Sequence, residues 1–166
     1  MVVIVRAVVA DVTAYNVGLF IHVLAVVLAF GPTFGYGIFI GFAETKAPNA
    51  VPAVLKAVNL TNRYLVTLAM VVVLAAGFYL LAEGDISASE SWVQVGFVAI
   101  AILFGLVGGF FVPRTRKAIE LAERDLTAGG GELSHEYRKV SAQMARVGQL
   151  AGLIVAVTIF FMVVKP

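Results

Sequence analysis

The sequence has no cysteine and few charged residues. Of its 166 residues, 13% are charged and 61% are hydrophobic. Without cysteine the chain forms no disulfide, holds no metal through thiolates and has no cysteine nucleophile. A soluble domain carries roughly 25% charged residues, and a water-soluble fold of this size could not bury so much apolar surface. Lipid is therefore the expected solvent, and the net charge of +2 implies no affinity for nucleic acid.

Four long apolar stretches contain no Asp, Glu, Lys or Arg. They cover about residues 15–42, 64–81, 92–112 and 147–164. A bilayer core of ~30 Å needs about 20 apolar residues in a helix. The stretches do not alternate polar and apolar residues as a membrane β-strand does. We therefore predict an all-α protein, a four-helix transmembrane bundle that forms one membrane domain over residues 1–166.

The charges between these stretches predict the orientation. The segment 44–63 carries three cations and the segment 113–146 carries seven, whereas the segment 82–91 carries three acids and no cation. Positively charged loops stay in the cytoplasm. We predict a plasma-membrane protein with both basic segments inside and both termini outside. Residues 1–11 lack the long apolar region of a signal peptide, so we expect them to be retained at the membrane surface.

The segment 113–146 has the pattern of a helical cytoplasmic hairpin between the third and fourth spans. Helix-forming residues from Arg116 to Leu126 extend the third span, and the glycines at 129–131 end it. Ser134 is placed as the N-cap of the next helix. In the other basic segment, Pro52 is predicted to begin a short helix at the membrane interface.

Glycines spaced four residues apart recur in three of the spans. Such pairs let membrane helices approach closely, either within one bundle or between chains. We predict a helix-packing role for Gly31, Gly35, Gly37, Gly41, Gly105, Gly109, Gly148 and Gly152.

Catalytic signatures are missing from the sequence. It contains neither a phosphate-binding Gly-x-x-x-x-Gly-Lys-Ser/Thr loop nor a His-Glu-x-x-His motif. An ion-coupled transporter usually keeps an ionisable group at membrane depth, and the four stretches have no carboxylate or amine. The sequence thus favours a protein without catalytic residues or a metal site.

His22 is the one residue in the apolar stretches that titrates near neutral pH. It is either a neutral side chain bonded to a carbonyl or hydroxyl of the bundle, or an axial ligand to haem iron. Met162, near the outer end of the fourth span, would supply the second ligand, or two His22 side chains would meet in a dimer. His135 lies on the opposite side of the membrane and cannot share that iron.

Several segments resemble a known family. They are Gly18-Leu19-Phe20-Ile21-His22-Val23-Leu24-Ala25, the continuation through Gly31 and Gly35, Tyr137-Arg138-Lys139, and the ending Phe161-Met162-Val163-Val164-Lys165-Pro166. The chain is similar over nearly its whole length to the predicted integral-membrane family called domain of unknown function 2269. Its first span is distantly similar to copper-resistance D proteins and HemJ-type protoporphyrinogen oxidases, in which a membrane histidine matters. The similarity to HemJ-type proteins implies a haem cofactor.

Three hypotheses of function follow. The first is an accessory or scaffold subunit of a membrane complex, forming a homo-oligomer or binding a larger partner within the lipid bilayer. The second is a haem-binding redox protein that uses His22. The third is a carrier for a neutral or lipidic small molecule.

Overall fold

The computed structural model describes residues 13–127 and 132–166, which form four long helices. Helix α1 is Ala14–Lys46, α2 is Pro48–Glu83, α3 is Ser91–Thr127 and α4 is His135–Val164. No strand occurs among the described residues. Each helix contains one of the predicted apolar stretches and is long and apolar enough to cross a membrane. The prediction of an all-α, four-helix membrane bundle is confirmed.

Large apolar side chains cover the outer surface of the bundle. Ile38 is 72% exposed, Phe20 65% and Val163 75%. Continuous apolar exposure of this kind is unfavourable in water and marks a surface that another apolar phase covers. Along these helices that phase is the hydrocarbon of the bilayer.

Two buried apolar clusters follow each other along the bundle. The first, which we call the membrane core, joins all four helices within their apolar stretches. The second, which we call the hairpin core, joins the end of α1 and the start of α2 to the hairpin formed by α3 and α4. The membrane core contains Ala25, Ala29, Phe30, Val66, Ala69, Met70, Val73, Ile100, Leu103 and Val155, and the hairpin core contains Ala43, Val51, Leu55, Ala118, Leu121, Ala122, Leu133, Tyr137, Val140 and Met144.

The helical hairpin between the third and fourth spans is present. Helix α3 continues past its apolar stretch to Thr127, and the Ser134 hydroxyl caps α4 by accepting a hydrogen bond from the Tyr137 N–H at 3.3 Å. The Ser134 N–H donates to the Asp125 carboxylate at 2.9 Å. Hydrogen bonds from Ser134 are the main reason that the pKa of the Asp125 carboxyl is lowered, and Arg124 beside it lowers that pKa further. The predicted break at residues 129–131 lies outside the described residues.

The structure corrects the prediction for the segment 44–63. We expected a loop with a short interfacial helix from Pro52, but only Ala47 separates α1 from α2, which begins at Pro48. The side chains of Val51 and Leu55 are completely buried in the hairpin core. The apolar side of this helix therefore faces protein, because the extended α3–α4 hairpin provides a closer apolar partner than the membrane interface does.

At the opposite end of the bundle, Lys165 and Pro166 contact the start of α3. The Ser91 hydroxyl at the start of α3 donates to the Pro166 carbonyl at 2.9 Å. The Lys165 ammonium lies 5.0 Å from the centre of the Trp92 ring, within the range of a cation–π interaction. These contacts hold the end of α4 against the start of α3.

Candidate functional site

His22 and Met162 contact different helices. The His22 Nδ1 lies 3.0 Å from the Val73 carbonyl of α2, and the ring lies beside Gly77. Met162 packs its terminal methyl against Gly96 of α3. The bond to Val73 matches the structural interpretation of His22, and none of these contacts joins the two side chains. If Nδ1 carries the proton and donates it to the Val73 carbonyl, the other ring nitrogen, Nε2, keeps the lone pair that a ligand to iron needs. Haem ligation by His22 therefore stays a prediction.

Most of the predicted packing glycines meet no neighbouring helix among residues 13–127 and 132–166. If a Cβ atom were added to the glycine at six of these positions, no described atom would lie within 4 Å of it, apart from the two flanking residues and the backbone of the same helix turn. At Gly35 it would meet Phe39 of the same helix, and at Gly152 it would touch Phe34 at 3.6 Å. The six open positions are Gly31, Gly37, Gly41, Gly105, Gly109 and Gly148. Close approaches within the chain occur instead at Gly18, against Tyr79, and at Gly96.

Four of these glycines line a cavity of about 600 Å³ between the four helices. They are Gly37 and Gly41 on α1, and Gly148 and Gly152 on α4. The absence of their side chains contributes to the open volume. The cavity lies in the half of the bundle nearer the hairpin, and most of its walls are apolar. Its apolar lining includes Phe30, Phe34, Ile40, Val58, Val66, Leu103, Leu106, Val107, Phe111, Met144 and Val155.

Two helices depart from regular α geometry beside this cavity. Helix α2 has a π-helical turn at Asn62–Val66, and α3 has another at Leu106–Phe111. Helix α1 contains Pro32 but is α-helical from Ala14 to Lys46. Residues of both π turns line the cavity. Such turns are frequent at functional sites, and irregular backbone at membrane depth is tolerated where it lines a cavity.

Two hydroxyl groups bond backbone carbonyls near Pro32 and at the π turn of α2. The Thr33 hydroxyl, one residue after Pro32, donates to the Phe30 carbonyl at 2.6 Å. The Thr67 hydroxyl donates to the Asn62 carbonyl at 2.8 Å, and that carbonyl also accepts the Thr67 backbone N–H. A hydroxyl left unpaired in an apolar surrounding costs free energy, and these bonds avoid that cost.

A carboxylate and two hydroxyls lie at the hairpin end of the cavity. The Glu44 Oε1 accepts hydrogen bonds from the Tyr137 hydroxyl at 2.8 Å and from the Ser141 hydroxyl at 2.6 Å. Glu44 and Ser141 line the cavity, whereas Tyr137 is completely buried behind them. The three residues join the end of α1 to the start of α4 and give the cavity a negatively charged end.

Further polar side chains border the cavity. Thr115 is 2% exposed and its hydroxyl donates to the Met144 sulfur at 3.6 Å. The Tyr36 hydroxyl is buried beside Thr61 and makes no hydrogen bond of normal geometry with the described residues. Tyr36 itself lines the cavity, whereas Thr61 beside its hydroxyl does not. Asn62 and Gln149 add amide groups to the lining.

The sequence alone did not identify Glu44 as part of a site. We placed Glu44 in a loop because the apolar stretch ends at Phe42, yet α1 continues to Lys46. Its hydrogen-bond partners lie 93 and 97 residues away along the chain. The available signal was Tyr137 and Ser141 at i and i+4, which places two hydroxyls on one helix face.

The chain matches the family described as "Predicted integral membrane protein (DUF2269)" over residues 17–166. It belongs to this family. The resemblance based on the His22 segment and the C-terminal residues is thus confirmed, and the family description agrees with four membrane-spanning helices. No curated protein and no solved structure matches the chain. The distant similarity to copper-resistance D and HemJ-type proteins stays a prediction.

The described residues offer no metal centre of their own. Across residues 13–127 and 132–166, no three His, Asp or Glu side chains come together as a metal site requires. The feature with the clearest chemical character is therefore the cavity.

Proposed function

We propose that this membrane protein binds a small apolar or amphipathic molecule in the cavity between its four helices. The observation that carries the proposal is the cavity of about 600 Å³ with apolar walls and one polar end. Small-molecule sites commonly have volumes of roughly 300–1,000 Å³, with mostly apolar linings and a few placed polar groups. The cavity fits that description, and it favours the carrier hypothesis among the three from the sequence.

A route from the membrane supports the same proposal. Gly37 of α1 and Gln149 of α4 line the cavity and are also exposed on the protein surface. The cavity thus reaches the surface at these two helices. Both residues belong to helices that cross the membrane, so an apolar molecule would enter from the bilayer without crossing water.

A photoreactive probe tests this proposal. The purified protein in lipid nanodiscs would be irradiated with a neutral alkyl alcohol that carries a diazirine, and the labelled residues would be mapped by mass spectrometry. We expect saturable labelling of cavity residues such as Met144 and Phe111. Labelling restricted to outward-facing residues such as Phe20 would contradict the proposal.

Two glycine variants provide a matched pair for this experiment. Gly148→Leu adds a side chain where a Cβ meets no atom within 4 Å and where the residue lines the cavity. Gly105→Leu adds the same side chain at an equally open, exposed position outside the cavity lining. We expect Gly148→Leu to abolish most cavity labelling and Gly105→Leu to preserve it. Equal labelling of the two variants would count against the cavity as the binding site.

The hypothesis of an accessory subunit in a membrane complex remains a second proposal. Gly31, Gly105 and Gly109 have open space beside them and do not line the cavity. Small residues of this kind allow another helix to approach closely, so they support a contact with a second chain. Purification in mild detergent should then recover a homo-oligomer or a stoichiometric partner, and recovery of a monomer alone would contradict it.

Orientation belongs to the proposal as well. The excess of cations in the segment 113–146 supports a plasma-membrane protein with the hairpin in the cytoplasm and both termini outside. The Glu44 end of the cavity would then lie near the cytoplasmic face.

A further inference from the structure

The cavity has a single formally charged residue in its described lining, Glu44. The remaining lining side chains are apolar, hydroxyl or amide groups, and no Lys, Arg or His is among them. A molecule in this cavity therefore meets a negative charge at one end and no positive charge.

The hydrogen bonds of Glu44 leave part of the carboxylate available. Both of its bonds go to Oε1, from Tyr137 and Ser141, and none of the described residues bonds Oε2. These hydroxyls are neutral donors, so they orient the carboxylate without cancelling its charge.

Three cations at this end of the bundle contact other groups. Lys56 pairs with Glu123 at 2.6 Å, Lys117 pairs with Glu136 at 3.1 Å, and the Arg114 guanidinium donates to the Gln143 side chain. No salt bridge to Glu44 exists among residues 13–127 and 132–166. Within these ranges a partly buried carboxylate is thus left without a cation in salt-bridge contact.

An ionised carboxylate held away from water is costly when it is unpaired, and such groups in proteins are normally paired with a cation or hydrogen-bonded. Charge-assisted hydrogen bonds from an ammonium group to a carboxylate are also stronger than neutral ones. Resting on the proposed function, we propose that the ligand is a cationic amphiphile whose protonated amine binds Glu44 and whose apolar part lies along the cavity walls.

The proposed geometry assigns separate tasks to the parts of the site. Glu44 accepts an N–H from the ammonium, while Tyr137 and Ser141 hold the carboxylate in place from behind. The apolar tail extends from Glu44 toward Phe30 and Val155, which belong to the membrane core and also line the cavity. The charge of the head group therefore contributes to affinity at the Glu44 end, and apolar contact of the tail contributes to affinity along the cavity walls.

Three competitors with one chain length test the choice of head group. Dodecylamine, dodecanol and dodecanoate would compete with the neutral diazirine probe for labelling of cavity residues in nanodiscs at neutral pH. We expect dodecylamine to compete about tenfold better than dodecanol, since both can donate a hydrogen bond to Glu44 but only the ammonium adds the attraction of opposite charges, which contributes at least roughly that factor in close pairs. Dodecanoate should compete least, because its carboxylate would face that of Glu44.

Matched variants assign the effect to one carboxylate. Glu44→Gln keeps the side-chain shape and removes the charge, so the amine should lose its roughly tenfold advantage over the alcohol. Glu120→Gln removes an exposed carboxylate near the same end of the bundle and should leave that advantage intact. Ser141→Ala should lower the advantage by a smaller factor, since it removes one donor that orients Glu44.

The outcomes separate this inference from the function on which it rests. Equal competition by the three compounds, with cavity labelling intact, would overturn the amine assignment and leave the binding function standing. An amine advantage that persists in Glu44→Gln would also overturn it. Absence of saturable cavity labelling by the neutral probe would overturn the binding function, and the amine assignment with it.

Discussion

The hydrogen bond from Tyr137 to Glu44 provides a quantitative test of how the hairpin is held to α1. Tyr137→Phe removes the hydroxyl and keeps the ring, which is completely buried in the hairpin core. The apolar contribution of the ring should therefore be unchanged. What is lost is one 2.8 Å hydrogen bond to a carboxylate.

The size of the loss follows from the partner's charge. A hydrogen bond to a charged group contributes about 1.5–3 kcal/mol to stability. Because Ser141 still donates to the same oxygen at 2.6 Å, the carboxylate keeps one donor after the substitution. We therefore expect the free energy of unfolding to fall by about 1.5 kcal/mol, the lower end of that range.

Unfolding by sodium dodecyl sulfate in mixed micelles, followed by helical circular dichroism, would measure this change. The matched control is Tyr64→Phe, which removes a hydroxyl from a side chain that is 60% exposed and makes no hydroxyl hydrogen bond with the described residues. We expect this control to change stability by less than about 0.5 kcal/mol.

A double-mutant cycle makes the test specific. In a Glu44→Gln background the bond from Tyr137 is neutral, so Tyr137→Phe should cost only about 0.5–1 kcal/mol. An identical cost in both backgrounds, or a cost for Tyr137→Phe no larger than that of Tyr64→Phe, would refute the assignment of a charge-assisted bond.

Two further predictions concern the hairpin core and the topology. Leu55→Ala should destabilise the protein by about 2–5 kcal/mol in the same unfolding assay, because Leu55 is completely buried; Leu60→Ala, at a side chain 60% exposed, should cost far less, and equal costs would contradict the observed packing. Since the chain has no cysteine, Ser89→Cys and Lys139→Cys can each be labelled without background by a membrane-impermeant thiol reagent. Intact cells should label the first only, and the reverse pattern would contradict the proposed orientation.

Hydropathy predicted the membrane helices because burial in lipid depends on local composition. A run of about 20 apolar residues satisfies its backbone bonds as a helix whatever its neighbours are. The hairpin was likewise predictable from local signals, the helix-forming residues 116–126 and the cap at Ser134. In both cases the energetic reason lies within a short segment of the chain.

The sequence was less informative about features that depend on distant contacts. The start of α2 was predicted to lie at the membrane interface because its apolar face must be covered, and the sequence did not show that the α3–α4 hairpin covers it. The packing role of the glycines stays a prediction for contacts with a second chain, because spacing alone does not tell whether a small residue faces a helix or an open volume. Glu44 was missed because its partners are nearly a hundred residues away.

The cavity connects several of these unpredicted features through one physical cause. A regular, fully packed bundle of four apolar helices would have no reason to carry two π turns and a carboxylate beside one cavity. Each of them has a cost in an apolar surrounding, because a π turn disturbs the regular backbone hydrogen bonding and a carboxylate places charge away from bulk water. The Tyr137 and Ser141 hydroxyls lower the cost of the carboxylate. These locally unfavourable features around one open volume support the proposal that it holds a bound molecule, and the labelling of Gly148→Leu compared with Gly105→Leu would distinguish that proposal from a purely structural role.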